Sequence, residues 1–133
     1  MVRYAKEKDW ETISLYDRHI SSEELRSSIR LRRVIVLEDG EGFAGWLRFN
    51  LFWDNTPFMN LLFLLEDRRG RGYGGQLTAF WETEMKLLGY ERVLTSTQAD
   101  ERAQRFYRRQ GYTDCGALLL PGEPLEILFR KEL

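Results

Sequence analysis

The residues that most often carry chemistry or cross-links are scarce in this chain. Among 133 residues there is one cysteine, Cys115, and one histidine, His19. A single thiol excludes an internal disulfide and a cysteine metal cluster, and no metal is expected. A Ser-His-Asp arrangement would have to use His19, which lies in a charged, helix-like N-terminal stretch with nothing to supply the geometry that defines such a triad. Apolar runs approaching the ~20 residues of a bilayer span are also missing, which argues against a membrane partner. Neither charge sign dominates: 20 basic residues face 21 acidic ones, for a net charge of -1. That balance gives no support for nucleic-acid binding. Met1 to Lys8 lacks the apolar core of a signal peptide, so a cytoplasmic location is the expectation. Repeats, low-complexity tracts and linkers are absent. What remains, 43% hydrophobic and 31% charged residues, reads as one globular domain over residues 1–133.

Hydrophobic periodicity sets out the elements. Val2 to Ala5 reads as a short strand. Trp10, Ile13 and Tyr16 recur at helical spacing. Ser21 with Glu24 reads as a capping box opening a helix that buries Leu25 and Ile29. Val34 to Leu37 is β-branched and strand-like, and Asp39-Gly40 signals a hairpin into a long arm, Phe43 to Phe52. Trp53 to Pro57 reads as a loop and Phe58 to Leu65 as the next strand. A helix follows and ends at Gly89. Arg92 to Thr97 is a strand. Asp100 is the expected N-cap of a helix that runs to Gln110 and closes at Gly111. Tyr112 to Ala117 and Leu125 to Lys131 complete a mixed α/β domain with a parallel crossover in its middle. Cys115 is expected as a small core residue. Leu118-Leu119-Leu120 reads as a buried strand-and-loop segment, with a subunit contact, and hence a homodimer, as the alternative.

One segment stands apart: Arg69-Gly70-Arg71-Gly72-Tyr73-Gly74-Gly75-Gln76, between an apolar strand and a helix. A glycine-rich turn there aims free N–H groups at a phosphate and lets it approach closely, and Arg69 and Arg71 add positive charge. Gly70 to Gly75 also satisfies the literal dinucleotide pattern GxGxxG. However, the turn lies at mid-chain, no acidic residue ends the next strand, and too little chain follows for a second half. No Gly-Lys-Ser/Thr follows, which excludes a Walker loop.

Arg69-x-x-Gly72-x-Gly74 resembles the acetyl-CoA signature of the GCN5-related N-acetyltransferase (GNAT) family. Ala103 to Tyr112 is similar to the family's A-x-x-F-Y-x-x-x-G-F/Y helix, at the expected separation. The resemblance implies a single domain with a central mixed, mostly antiparallel, splayed sheet flanked by helices, and acetyl-CoA as co-substrate. It also implies an acyltransferase moving an acetyl group directly to a primary amine of a small molecule or peptide. A catalytically silent CoA-binding module is the alternative.

On this resemblance, Phe63, Leu64 and Leu65 border the thioester, and Leu64 or Leu65 supplies the oxyanion N–H. The amides of Arg71 to Gln76 hold the pyrophosphate. Tyr107, beside Phe106, protonates the leaving thiolate, with core packing as its other reading. Asp100 stands where the family often has Asn, next to the CoA arm. Glu66 is the candidate base, with an exposed charge at a strand end as the alternative. Trp53 and Asp54 are the candidate acceptor residues.

Overall fold

Four-residue apolar runs and interrupted helical stripes alternate along the chain, and the computed structural model, which describes residues 1–133, orders them into strands and helices accordingly. The elements are β1 (Val2–Tyr4), a 3-10 turn (Glu7–Asp9), α1 (Trp10–Tyr16), α2 (Ser22–Arg30), β2 (Val34–Asp39), β3 (Gly42–Phe52) and β4 (Thr56–Leu64). A second 3-10 turn (Glu66–Arg68) then leads to α3 (Tyr73–Leu87), β5 (Arg92–Gln98), α4 (Ala103–Arg109), β6 (Thr113–Leu118) and β7 (Glu126–Glu132). The strands form one mixed sheet in the order β1-β2-β3-β4-β5-β7-β6. The β1–β2, β2–β3, β5–β7 and β6–β7 pairs are antiparallel, and the β4–β5 pair is parallel. Backbone contacts gather the chain into two compact units, Met1–Asn50 with Leu61–Trp81, and Leu51–Asn60 with Glu82–Leu133.

In the first unit, Val34 to Leu37 and Ala44 to Phe49 are buried at every position, as strands covered on both faces are. Ile13 of α1 and Leu25 and Ile29 of α2 pack with Val34, Val36 and Trp46. The Ser21 hydroxyl accepts the Glu24 N–H at 3.2 Å and caps α2. Asp17, at the end of α1, is fully buried against Arg48 of β3: Nε donates to Oδ2 at 2.9 Å. The Trp46 indole N–H adds a 3.4 Å contact to the same oxygen.

In the second unit, Phe58 pairs with Leu94 and Met59 with Thr95. Tyr107 meets Tyr112 edge-on and Phe129 of β7 at a tilt, with ring centroids 5.6 Å and 6.0 Å apart. Glu82 accepts from the Tyr112 hydroxyl at 2.8 Å and from Lys131 at 2.7 Å. The exits of α3 and α4 use the same device: Gly89 and Gly111 sit at positive φ, and the following N–H groups return to Met85 and Tyr107 carbonyls, the αL closure glycine favours.

The Asp39-Gly40 hairpin is present: Asp39 pairs with Gly42 across the turn, and Gly42 takes the positive φ. Other expectations change. Pro57 lies inside β4. The chain leaving β5 makes an extra turn, with the Glu101 N–H on the Gln98 carbonyl, so α4 begins at Ala103. Asp100 therefore does not cap it, and Arg102 at the N-cap makes no side-chain cap bond. All six residues of β6 are exposed, because it is the outermost strand beside β7. Cys115 and Leu118 to Leu120 lie on or just past it, so Cys115 is exposed rather than core and Leu119 is 85% exposed rather than buried.

Removing Asp17 alone strands a buried guanidinium, which costs about 3 kcal/mol. Asp17→Ala is expected to lose that much in urea unfolding, and Asp17→Leu combined with Arg48→Met is expected to recover most of it.

Candidate functional site

The glycine turn is built as a cradle. Gly70 and Gly72 hold φ of +77° and +81°, and a Cβ on either would meet open space. The backbone there is bare by conformation, not by crowding. The Gln76 N–H returns to the Gly72 carbonyl at 3.2 Å, so α3 starts at once, and the amides of its first turn have no carbonyl within the helix. Gly72 carries no side chain to cap them. Bare, convergent amides at the positive end of a 15-residue helix suit a pyrophosphate. The Thr78 hydroxyl, fully buried, donates to the Gly74 and Gly75 carbonyls, 3.1 Å each.

The three arginines of the turn divide the work. Arg69 is exposed; its Nε donates to the Leu64 carbonyl at 3.2 Å, and its guanidinium lies 5.4 Å over the Phe63 ring. Arg71 reaches Glu41 at 3.0 Å and Asp39 at 3.6 Å, so acids of the β2–β3 hairpin already hold its charge. The Glu41 hydrogen bond raises its pKa. Asp39 is held below the usual carboxylate range by the Glu41 backbone N–H, the Tyr73 hydroxyl, and Arg68 and Arg71. Arg68, which sequence reading passed over, is buried and donates to the Phe43 carbonyl at 3.0 Å and the Glu41 carbonyl at 3.4 Å. No local pattern marks it, because its partners lie some 25 residues earlier.

Next to the turn, the end of β4 is pressed against β3 at Gly45. A Cβ there would stand 2.5 Å from the Phe63 carbonyl oxygen and 2.6 Å from Leu64 Cδ2. Only glycine admits this approach. The Leu65 N–H donates to the Ala44 carbonyl at 2.9 Å, so that amide is already committed. Glu66 is exposed at the start of the 3-10 turn. Gln76 is exposed, and Tyr73 donates its hydroxyl to Asp39 at 3.0 Å.

In the second unit Tyr107 is 6% exposed. Its hydroxyl points to the Met59 sulfur at 3.9 Å, a weak acceptor, and to Thr95, whose own hydroxyl donates to the Met59 carbonyl at 3.0 Å. Burial pushes the phenol up to about 12. Phe106 meets Tyr107 edge-on at 5.3 Å and is half-buried. Asp100 lies in the turn before α4, where Gln104 donates to the Ala99 and Glu101 carbonyls.

The β3–β4 hairpin turns over Phe52 to Asn55, closed by the Asn55 N–H on the Phe52 carbonyl at 3.2 Å. Both central residues are left-handed, Trp53 at φ 55° and Asp54 at φ 65°. Hairpins favour this geometry, but with Asn or Gly in place; a bulky residue costs about 1–3 kcal/mol. Trp53 is 77% exposed, and burial offsets little of that cost.

A groove of about 680 Å³ between Trp10 and the outer face of α2 is lined by Ser22, Glu23, Glu24, Arg26, Ser27 and Arg30. None of the residues singled out above lines it.

Known proteins agree with this architecture. The model of the acetyltransferase (GNAT) family matches residues 3–112, and the chain belongs to that family. No curated protein matches it. Among solved structures it is similar to a GNAT-family acetyltransferase from Bacillus cereus, with 20% identity, TM-score 0.80, and 99% of this chain and 96% of that one covered. It is similar to a ribosomal-protein-alanine N-acetyltransferase from Brucella melitensis, with 19% identity, TM-score 0.83, and coverage of 100% and 99%. It is also similar to N-acetylglutamate synthase from Neisseria gonorrhoeae complexed with coenzyme A and N-acetyl-glutamate, with 18% identity, TM-score 0.84, and coverage of 100% of this chain and 35% of that one. At these identities the likeness is one of fold.

Three outcomes follow. Gly45→Ala overpacks the β3–β4 contact and is expected to lose about 2 kcal/mol in denaturant unfolding. Gly116→Ala, whose Cβ would meet only Leu128 at 3.7 Å, is expected to stay within about 0.5 kcal/mol of the parent. Because Tyr107 keeps its proton longer when folded, the stability it confers is full below pH 10 and is lost as the pH rises toward 12. Thermal melts from pH 9 to 12 should fall less steeply in Tyr107→Phe. Part of the slope should remain, since burial also raises Tyr112.

Proposed function

We propose that this chain moves an acetyl group from acetyl-CoA directly to a primary amine of a small molecule or peptide. When bound, acetyl-CoA supplies an acetyl group activated as a thioester. The residues present fit it: the amides from Arg71 to Gly75 take the pyrophosphate, that of Gln76 being spent on the Gly72 carbonyl, with Arg69 as the added cation. Arg71, already paired with Glu41 and Asp39, orients the turn instead. Phe63 and Leu64 flank the pantetheine arm, and the Leu64 N–H serves the developing oxyanion, since that of Leu65 is spent on Ala44. Asp100 and Phe106 border the arm from the α4 side of the sequence motif. The amine nitrogen forms its bond to the carbonyl carbon as the carbon–sulfur bond breaks. Glu66 takes the amine proton through water, and Tyr107 gives one to the leaving sulfur.

One observation carries the enzymatic reading: Tyr107 keeps a buried hydroxyl whose neighbours are a thioether and a threonine. Packing alone would need no hydroxyl there. Because burial makes this phenol a weaker acid than a free one, it donates only as charge develops on the sulfur, whose thiol pKa is ~8.5. Trp53 and Asp54 are the proposed acceptor contacts.

Acetyl-CoA is expected to raise the melting temperature, whereas NAD and ATP are not. In Tyr107→Phe, turnover is expected to fall about a hundredfold with the acetyl-CoA KM unchanged. Equal turnover in both proteins would remove Tyr107 from the chemistry, and no shift with acetyl-CoA would remove the function.

A further inference from the structure

We infer that Glu82 is a positioning residue for Tyr107 and acts on it through Tyr112. The inference rests on the acetyltransferase reading and deepens it by naming what aims the proton donor. The Tyr107 hydroxyl is poorly placed to aim itself. Its neighbours are the Met59 sulfur at 3.9 Å and the Thr95 hydroxyl. Sulfur is a weak acceptor, and Thr95 already donates its own proton to the Met59 carbonyl at 3.0 Å. The three rings around Tyr107 therefore set its plane: Phe106 at 5.3 Å, Tyr112 at 5.6 Å and Phe129 at 6.0 Å. Two of these are phenylalanines, with no polar atom to tether. Tyr112 is tethered at both ends. Its N–H returns to the Tyr107 carbonyl at 3.0 Å where α4 closes, and its hydroxyl donates to Glu82 Oε2 at 2.8 Å.

The tether is charged, which core packing does not need. The other Glu82 oxygen accepts from Lys131 Nζ at 2.7 Å, and the two side chains are only 15% and 27% exposed. Nζ also stands 5.6 Å from the centre of the Tyr112 ring. An ion pair withdrawn from water gains little stability over apolar residues of the same size. What a satisfied polar network contributes is a single fixed arrangement. Here that arrangement is the edge of Tyr112 against Tyr107, with the ring planes 66° apart. A general acid works only in line with the atom it protonates, so a Tyr107 ring left free to rock loses rate without losing cofactor.

The test is a double-mutant cycle in the turnover of acetyl-CoA with n-butylamine. Tyr112→Phe deletes only the hydroxyl that Glu82 holds. That variant and Glu82→Ala should each lower kcat about tenfold with the acetyl-CoA KM unchanged. Glu82→Gln, whose amide oxygen still accepts from Tyr112, should recover most of the Glu82→Ala loss. In Tyr107→Phe, already about a hundredfold down, adding Tyr112→Phe should cost nothing more. Independent roles would multiply to a loss of about a thousandfold. That result, or a Tyr112→Phe turnover equal to the parent's, overturns the inference while leaving acetyl transfer standing. Ring flips in aromatic NMR read the hold without turnover: Tyr107 should flip about tenfold faster in Tyr112→Phe than in the parent. An equal flip rate overturns the inference. If n-butylamine proves no acceptor, the flip rate decides alone, and a missing melting shift with acetyl-CoA separately removes the transferase reading.

Discussion

The guanidinium of Arg68 is the joint on which the glycine turn hangs. It is buried, yet it finds two backbone carbonyls, Phe43 and Glu41, and stands 3.6 Å from Asp39 and 3.2 Å from Glu41. A buried cation persists only with such partners. The consequence is mechanical: the turn is tied to the β2–β3 hairpin rather than left as a loop. Arg71 and Tyr73 bind the same acids from the other side of the turn. A bare run of glycines would be floppy, and here its flanking residues are pinned while its amides stay open.

This division explains what sequence reading could and could not see. The glycines and the Ala103 to Tyr112 helix announce themselves because conformational need and spacing are local properties. The strands at Val34 and Phe43 were legible because a strand buried on both faces is mostly apolar, with Arg48 as the one buried charge among them. Arg68 was not legible, since its partners are distant and its neighbours Arg69 and Arg71 offer the same charge. Gly45 was passed over for a related reason: its role is set by Phe63 and Leu64 across the sheet. Cys115 and Leu118 to Leu120 were misread because hydrophobicity predicts burial only when something exists to cover the strand, and β6 ends the sheet. Asp100 failed as a cap because one extra turn after β5 delays the helix, a shift within the usual uncertainty of helix ends.

The two kinds of candidate site residue differ in how they are held. The glycine turn and Gly45 depend on backbone approach, so their contribution lies in what is missing from them. Tyr107 depends on enclosure: Tyr112, Phe129 and Phe106 surround its ring, and burial sets its acidity. Trp53 belongs to neither class, since it is held in a strained turn and left in water.

The exposure of Cys115 has a practical side. The chain carries one thiol, and it lies on the uncovered outer strand. Any reagent that reports free coenzyme A by its sulfhydryl will also titrate that residue, once per polypeptide. The resulting signal is a fixed burst proportional to enzyme concentration and independent of acceptor, and replacing the cysteine by serine converts a kinetic offset into a clean baseline.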